Sequence, residues 1–208
     1  IFRLYDITTG HIRLSDQSRT NGRNGATIDI RHTALGDLRQ RVGMVTQDVQ
    51  LFRATVRDNL TFFDRSIPDD RILAVIDTLE LSDWYNALPD GLDTELETEG
   101  HNLSAGEAQL LAFTRVFLQD PGLVILDEAS SRLDPATEQL IERAVDKLLH
   151  HRTGIIVAHR LTTVERADQI MILENGRIRE LGAYDALAGD PTSRFYQLRQ
   201  TGLAEVLA

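Results

Sequence analysis

The chain has 208 residues, is 42% hydrophobic, and carries 22 basic against 32 acidic side chains for a formal net charge of -10. That size and composition suit one substantial core with a smaller lobe attached, and the acidic balance argues against a general nucleic-acid surface. Cysteine is absent, which excludes a disulfide framework or a thiolate metal site, and no apolar run approaches the roughly eighteen residues of a membrane span or has the form of a signal peptide.

In chain order, Ile1 to Tyr5 is apolar without an N-cap and Thr9-Gly10 supplies a stop, so this stretch reads as the tail of a helix. His11 to Leu14 and Ala26 to Ile30 alternate apolar and polar residues as half-buried strands do. Between them, Ser15 to Thr27 is rich in Ser, Asn and Gly and reads as a surface loop in which Arg19 and Arg23 are solvated or touch a partner. Leu35 to Arg41 is a predicted short helix and Val42 to Val45 a strand ending at Thr46-Gln47-Asp48. A glutamine at that end can offer oxygen to a metal ion or a water, and N–H to a phosphate, without adding charge. Leu51 and Phe52, which follow, are either core or an exposed docking face. Helical spacing over Asp69 to Leu79 and Ser82 to Leu88 predicts two helices, with Trp84 as packing, and Glu95 to Gly100 is an acidic turn.

The stretch from Leu103 to Asp134 carries the most chemistry. Ser104 with Glu107 forms an S-x-x-E capping box before an apolar helix that runs to about Gln119, so free backbone N–H groups and the positive dipole end gather where an anion can dock. Leu123 to Leu126 is a buried strand that ends in Asp127-Glu128, which puts two carboxylates at the carboxyl end of a strand, where open α/β sheets place their ligands. Neighbouring strand residues point to opposite faces, so one acid can serve a metal ion and the other a reacting group. Asp134 and Pro135 start a further helix, with Leu140, Ile141, Ala144, Val145 and Leu148 as its buried face. Gly154 to Ala158 is predicted as a buried strand ending in His159-Arg160. Asn175-Gly176 turns a hairpin between Gln169 to Leu173 and Ile178 to Leu181, and Asp185 to Leu207 is helical and polar-faced.

L-S-A-G-E-A-Q from Leu103, L-V-I-L-D-E-A-S from Leu123 and S-R-L-D ending at Asp134 resemble the signature motif, the Walker B strand with its glutamate, and the D-loop of ABC-type ATPases. Gln47 resembles the Q-loop glutamine and His159 the switch histidine, and the order and spacing match along essentially the whole chain. The resemblance implies an α/β fold of P-loop NTPase type, with a parallel core sheet, an antiparallel outer sheet pairing the first two strands, and a helical subdomain. Residues 1–208 are then a single truncated nucleotide-binding domain, with its core at about 1–52 and 120–208 and the helical subdomain at about 53–119.

The function so implied is ATP binding and hydrolysis in an ABC transporter, with hydrolysis at a dimer interface coupled to transport across a membrane. The cofactors are ATP and Mg²⁺. By resemblance, Asp127 and Gln47 hold Mg²⁺ and its waters, Glu128 takes a proton from the attacking water, and His159 contacts the γ-phosphate. Ser104, Gly106 and Glu107 face the partner's nucleotide, and Asp134 lies across the dimer interface. Val49 to Leu60 and Glu95 to Gly100 resemble the exporter versions of segments that touch membrane domains. The expected partners are a second ABC nucleotide-binding domain and the transmembrane domain of the same transporter, with no nucleic acid, at the cytoplasmic face of the plasma membrane. Ala105 and Glu107 depart from the usual L-S-G-G-Q and favour a heterodimer with unequal sites. The larger departure is that no Walker A loop, G-x-x-x-x-G-K-[ST], occurs in the chain, so the sequence reads as a fragment beginning just after that loop and inactive alone. The alternatives are a non-hydrolytic ABC module that completes a partner's ATP site, and a soluble ABC ATPase acting on DNA or ribosomes.

Overall fold

A computed structural model describes residues 1–15, 27–97, 103–127, 135–158 and 161–201. The chain divides into two compact units, Ile1–Ile125 with Ala129–Ile155, and Leu126–Glu128 with Ile156–Ala208. The loop arginines Arg19 and Arg23 and the end of the acidic turn at Gly100 lie outside the described residues.

In the first unit, strands β1 (Arg13–Ser15) and β2 (Thr27–Asp29) pair antiparallel, with Arg13 opposite Asp29. The Asp29 carboxylate accepts from the Arg31 backbone N–H at 3.0 Å, from Arg31 Nε at 3.1 Å and from Nη2 at 2.8 Å, and it lies 2.7 Å from His11 Nδ1. Arg31 first, and His11 after it, hold this carboxyl well below the usual carboxylate range. Helix α1 (Leu35–Arg41) leads directly into β3 (Val42–Val45), at the boundaries the hydrophobic pattern predicts. Helices α2 (Val56–Thr61), α3 (Asp69–Thr78) and α4 (Ser82–Asn86) follow, and α2 starts where the Thr55 hydroxyl accepts the Asp58 N–H at 3.1 Å. Trp84 sits half-buried on α4, consistent with a packing role.

Helix α5 (Ala105–Gln119) leads to β4 (Leu123–Asp127), and α6 (Pro135–Leu149) to β5 (Thr153–Val157). The parallel sheet has the order β3-β4-β5, and α5 packs against α6, α2, α3 and β3. Ile141, Ala144, Val145 and Leu148 are buried on α6 at the spacing that brings them onto one face, each large side chain contributing about 1.5–3 kcal/mol. A second cluster joins Ile30, Leu38, Val42 and Leu123, with Phe2, Ile12 and Ile155 packed against it.

Two local expectations are corrected and one open alternative is resolved. Ile1 to Tyr5 is not helical: Arg3 takes a φ of 50° and its Nη1 donates to the Ile30 and Thr33 carbonyls, both at 3.0 Å. These two carbonyls hold the Arg3 guanidinium, and with it the segment, in a non-helical path. Strand β5 is not buried along its length, since it lies at the edge of the described sheet, and Val157 is 47% exposed. Leu51 and Phe52 divide between their two readings: Leu51 is core, whereas Phe52 is 43% exposed and meets Phe62 and Phe63 edge-on at 6.3 and 5.5 Å between ring centroids. Phe62 and Phe63 have φ of 50° and 65°, a left-handed conformation that bulky side chains rarely adopt.

In the second unit, α7 (Leu161–Val164) precedes the antiparallel hairpin of β6 (Gln169–Glu174) and β7 (Arg177–Ala183). Asn175 and Gly176 turn it with φ of 50° and 73°, the pair of positive angles that a tight two-residue hairpin requires. The terminal helical stretch is two helices, α8 (Tyr184–Gly189) and α9 (Arg194–Thr201), because Gly189-Asp190-Pro191 interrupts it and Asp190 Oδ1 accepts the Thr192 N–H at 2.8 Å. Glu180 on β7 caps α9, accepting from Ser193 Oγ at 3.0 Å and from the Phe195 N–H at 2.9 Å.

Candidate functional site

The site is built on the first turn of α5. Ser104 has extended backbone angles, φ -66° and ψ 158°, and its Oγ accepts the Glu107 N–H at 3.2 Å. Glu107 folds back, so that its Oε2 accepts the Ser104 N–H at 2.7 Å and completes a reciprocal capping box. By helix geometry the Ala105 and Gly106 N–H groups have no acceptor within α5, and these point out of its positive end. The carboxylate is therefore engaged with the Ser104 amide, and the next two amides are the donors an anion can meet. Gly106 is buried, and a Cβ there would stand 2.2 Å from Thr137 Cγ2 on α6. The glycine thus has a packing reason of its own: it lets the start of α5 lie against α6.

Gln47 lies just after β3 and is exposed. Its neighbour Thr46 offers a carbonyl to Gln109 Nε2 at 3.4 Å, which ties this strand end to α5. Asp127 is the last residue of β4 and is half-buried. Glu128, Asp134 and His159 lie outside the described residues. Of the predicted groups, the structure brings Ser104, Gly106 and Glu107 together at one helix start and puts Gln47 and Asp127 each at the carboxyl end of a strand.

No group of three or more His, Asp or Glu side chains able to hold a metal occurs among the described residues. Magnesium keeps several waters and takes one or two protein oxygens together with substrate phosphates rather than a protein cage. The Asp127 carboxylate and the Gln47 amide are oxygen donors of that kind.

Arg115 and Asn59 were not singled out from the sequence. Arg115 is buried on α5, where Nε donates to the Asn59 carbonyl at 2.7 Å, Nη2 to Asn59 Oδ1 at 3.1 Å and Nη1 to the Gln50 carbonyl at 2.8 Å, and its guanidinium lies 4.8 Å from the Phe62 ring centroid. Burial pushes the guanidinium down to about 10, which leaves it charged at neutral pH. The available signal was a single arginine within the apolar run from Leu110 to Leu118.

A parallel three-stranded sheet, an antiparallel sheet and the helices that accompany them define an α/β domain of P-loop NTPase type. The family model described as ABC transporter matches residues 1–131. The chain is 37% identical over 202 residues to human ATP-binding cassette sub-family B member 6, covering 96% of this chain and 23% of that protein. It is 39% identical over 185 residues to a Staphylococcus aureus protein with the provisional name multidrug export ATP-binding/permease protein, covering 89% of this chain and 30% of that one. Against the heavy metal tolerance protein of Schizosaccharomyces pombe the identity is 36% over 187 residues, 90% of this chain and 21% of that one. The chain therefore spans between 21% and 30% of the length of these relatives. It belongs to the ABC transporter family, as an exporter-type nucleotide-binding domain.

Proposed function

We propose that this chain is the ATP-binding and hydrolysing part of an exporter-type ABC transporter, which closes on a second nucleotide-binding domain around ATP and passes that closure to a transmembrane domain. The observation that carries this reading is the capped start of α5 at Ser104, followed in the chain by a strand that ends in Asp127 and then Glu128. Ser104 and the amides of the first turn bind the partner's nucleotide, and Asp134 contributes across the interface. Asp127, with Gln47, would hold Mg²⁺, which when bound neutralises charge on the phosphates. Glu128 accepts the proton of the attacking water, and His159 donates a hydrogen bond to the γ-phosphate.

The relatives' names support a membrane setting, and no helix among the described residues is long and apolar enough to cross a membrane. A transmembrane domain of the same transporter is thus the proposed partner, with the domain on the cytoplasmic face of the plasma membrane. With Glu107 latched onto Ser104, it is Ala105, whose methyl stands where the family has glycine, that favours a heterodimer with unequal sites.

The test is Glu128→Gln in the full-length protein, where the amide keeps the shape and cannot take a proton. ATP binding and domain closure should persist while phosphate release stops; hydrolysis near the wild-type rate would refute the assigned role. Residues 1–208 alone contain no G-x-x-x-x-G-K-[ST] loop to hold phosphates, so calorimetry and phosphate release on that piece should both stay at background.

A further inference from the structure

Three side chains of α5 donate to main-chain carbonyls on either side of Gln47. Gln119 Nε2 reaches the Arg39 carbonyl at 2.5 Å and the Val42 carbonyl at 3.2 Å, Gln109 Nε2 reaches Thr46 at 3.4 Å, and Arg115 Nη1 reaches Gln50 at 2.8 Å. Gln47 is therefore flanked by carbonyls held from one helix, at the residue before it and at the third residue after it.

Arg115 makes the strongest of these ties. Its two bonds to Asn59 reach the main-chain carbonyl and Oδ1 of a fully buried residue, whose side-chain amide in turn accepts the Phe52 N–H at 2.8 Å and donates to the Phe52 carbonyl at 2.9 Å. The guanidinium thus grips the backbone after Gln47 twice, directly at Gln50 and through Asn59 at Phe52. Among the described residues no carboxylate pairs with it. A buried cation without a counter-ion is unfavourable unless its donors are satisfied, and the planar fork aimed at Asn59 and Gln50 is a geometry lysine cannot reproduce.

We propose that Arg115 is a positioning residue for phosphate chemistry: with Asn59 it fixes the backbone following Gln47 to the helix that starts at Ser104. Resting on the function proposed above, this means that the group serving this chain's nucleotide and the one serving the partner's are carried on a single braced unit. ATP bound on one side then meets a frame already set by the other.

The test uses the full-length protein with Arg115→Lys, with Arg115→Gln as the second variant should lysine prevent folding, each alone and combined with Gln47→Ala. Backbone amides at 47–52 should exchange with solvent about tenfold faster or more, while those of α3 keep their rates. The kcat for ATP hydrolysis should fall about 10- to 100-fold with KM for ATP changed less than about threefold, and Gln47→Ala should add little to that loss. Unchanged exchange at 47–52, equal acceleration in α3, or losses that multiply in the double variant would each overturn the proposal. Should Gln47→Ala leave hydrolysis untouched, the reading of Gln47 fails on its own, and the exchange rates still decide whether Arg115 anchors the segment.

Discussion

The Glu107 carboxylate accepts the Ser104 amide N–H at 2.7 Å, while the Ser104 hydroxyl accepts the Glu107 amide N–H at 3.2 Å. This mutual latch turns the acidic side chain back toward its own helix, so the residue that departs from the family's usual glutamine preserves the helix start.

Glu107→Gln should accordingly leave ATP affinity at the partner's site within about twofold, because an amide oxygen can take the same hydrogen bond. Glu107→Ala opens the latch and should destabilise the helix start by about 0.5–2 kcal/mol, on the scale of a lost cap. Titration of ATP against the assembled pair checks the first outcome; a clear gain in affinity from Glu107→Gln would show that the carboxylate faces the phosphate.

Gly106→Ala should destabilise the domain by about 1–3 kcal/mol, since the new methyl would collide with Thr137 Cγ2 at 2.2 Å. Removing that methyl with Thr137→Ser should recover most of the loss. Chemical unfolding of the two single variants and the double variant measures the coupling, and strictly additive effects would place the strain elsewhere.

Asp29 makes stability depend on pH. Its folded carboxyl is held well below its ordinary value by Arg31 and then His11, so the folded state binds a proton less readily than the unfolded chain. Its contribution is therefore complete above about pH 5 and declines as pH falls below about 4 toward the depressed folded value. Asp29→Asn should lower the urea midpoint at pH 7, and the gap to the wild type should shrink as the solution is acidified. A gap that stays constant from pH 7 to pH 3 would contradict this linkage.

The sequence by itself determined those features whose causes are local. The Ser104 cap, the junction of α1 with β3 at Val42 and the positive-φ pair Asn175-Gly176 each follow from neighbouring residues and backbone sterics, and so does the α6 face of Ile141, Ala144 and Leu148. The positions of Gln47 just after β3, Ser104 at the start of α5 and Asp127 at the end of β4 follow from the apolar runs beside them. Tertiary structure alone decided which of Leu51 and Phe52 is buried, how far β5 is exposed, and why Gly106 must lack a side chain, since each answer lies in what packs against the residue. It alone also revealed Arg115, whose partners Asn59 and Gln50 lie 56 and 65 residues away in the chain. Two of its three bonds end on backbone carbonyls, which every residue possesses, so side-chain identity leaves no mark of them in the sequence; only the folded path of the chain brings those oxygens to the guanidinium.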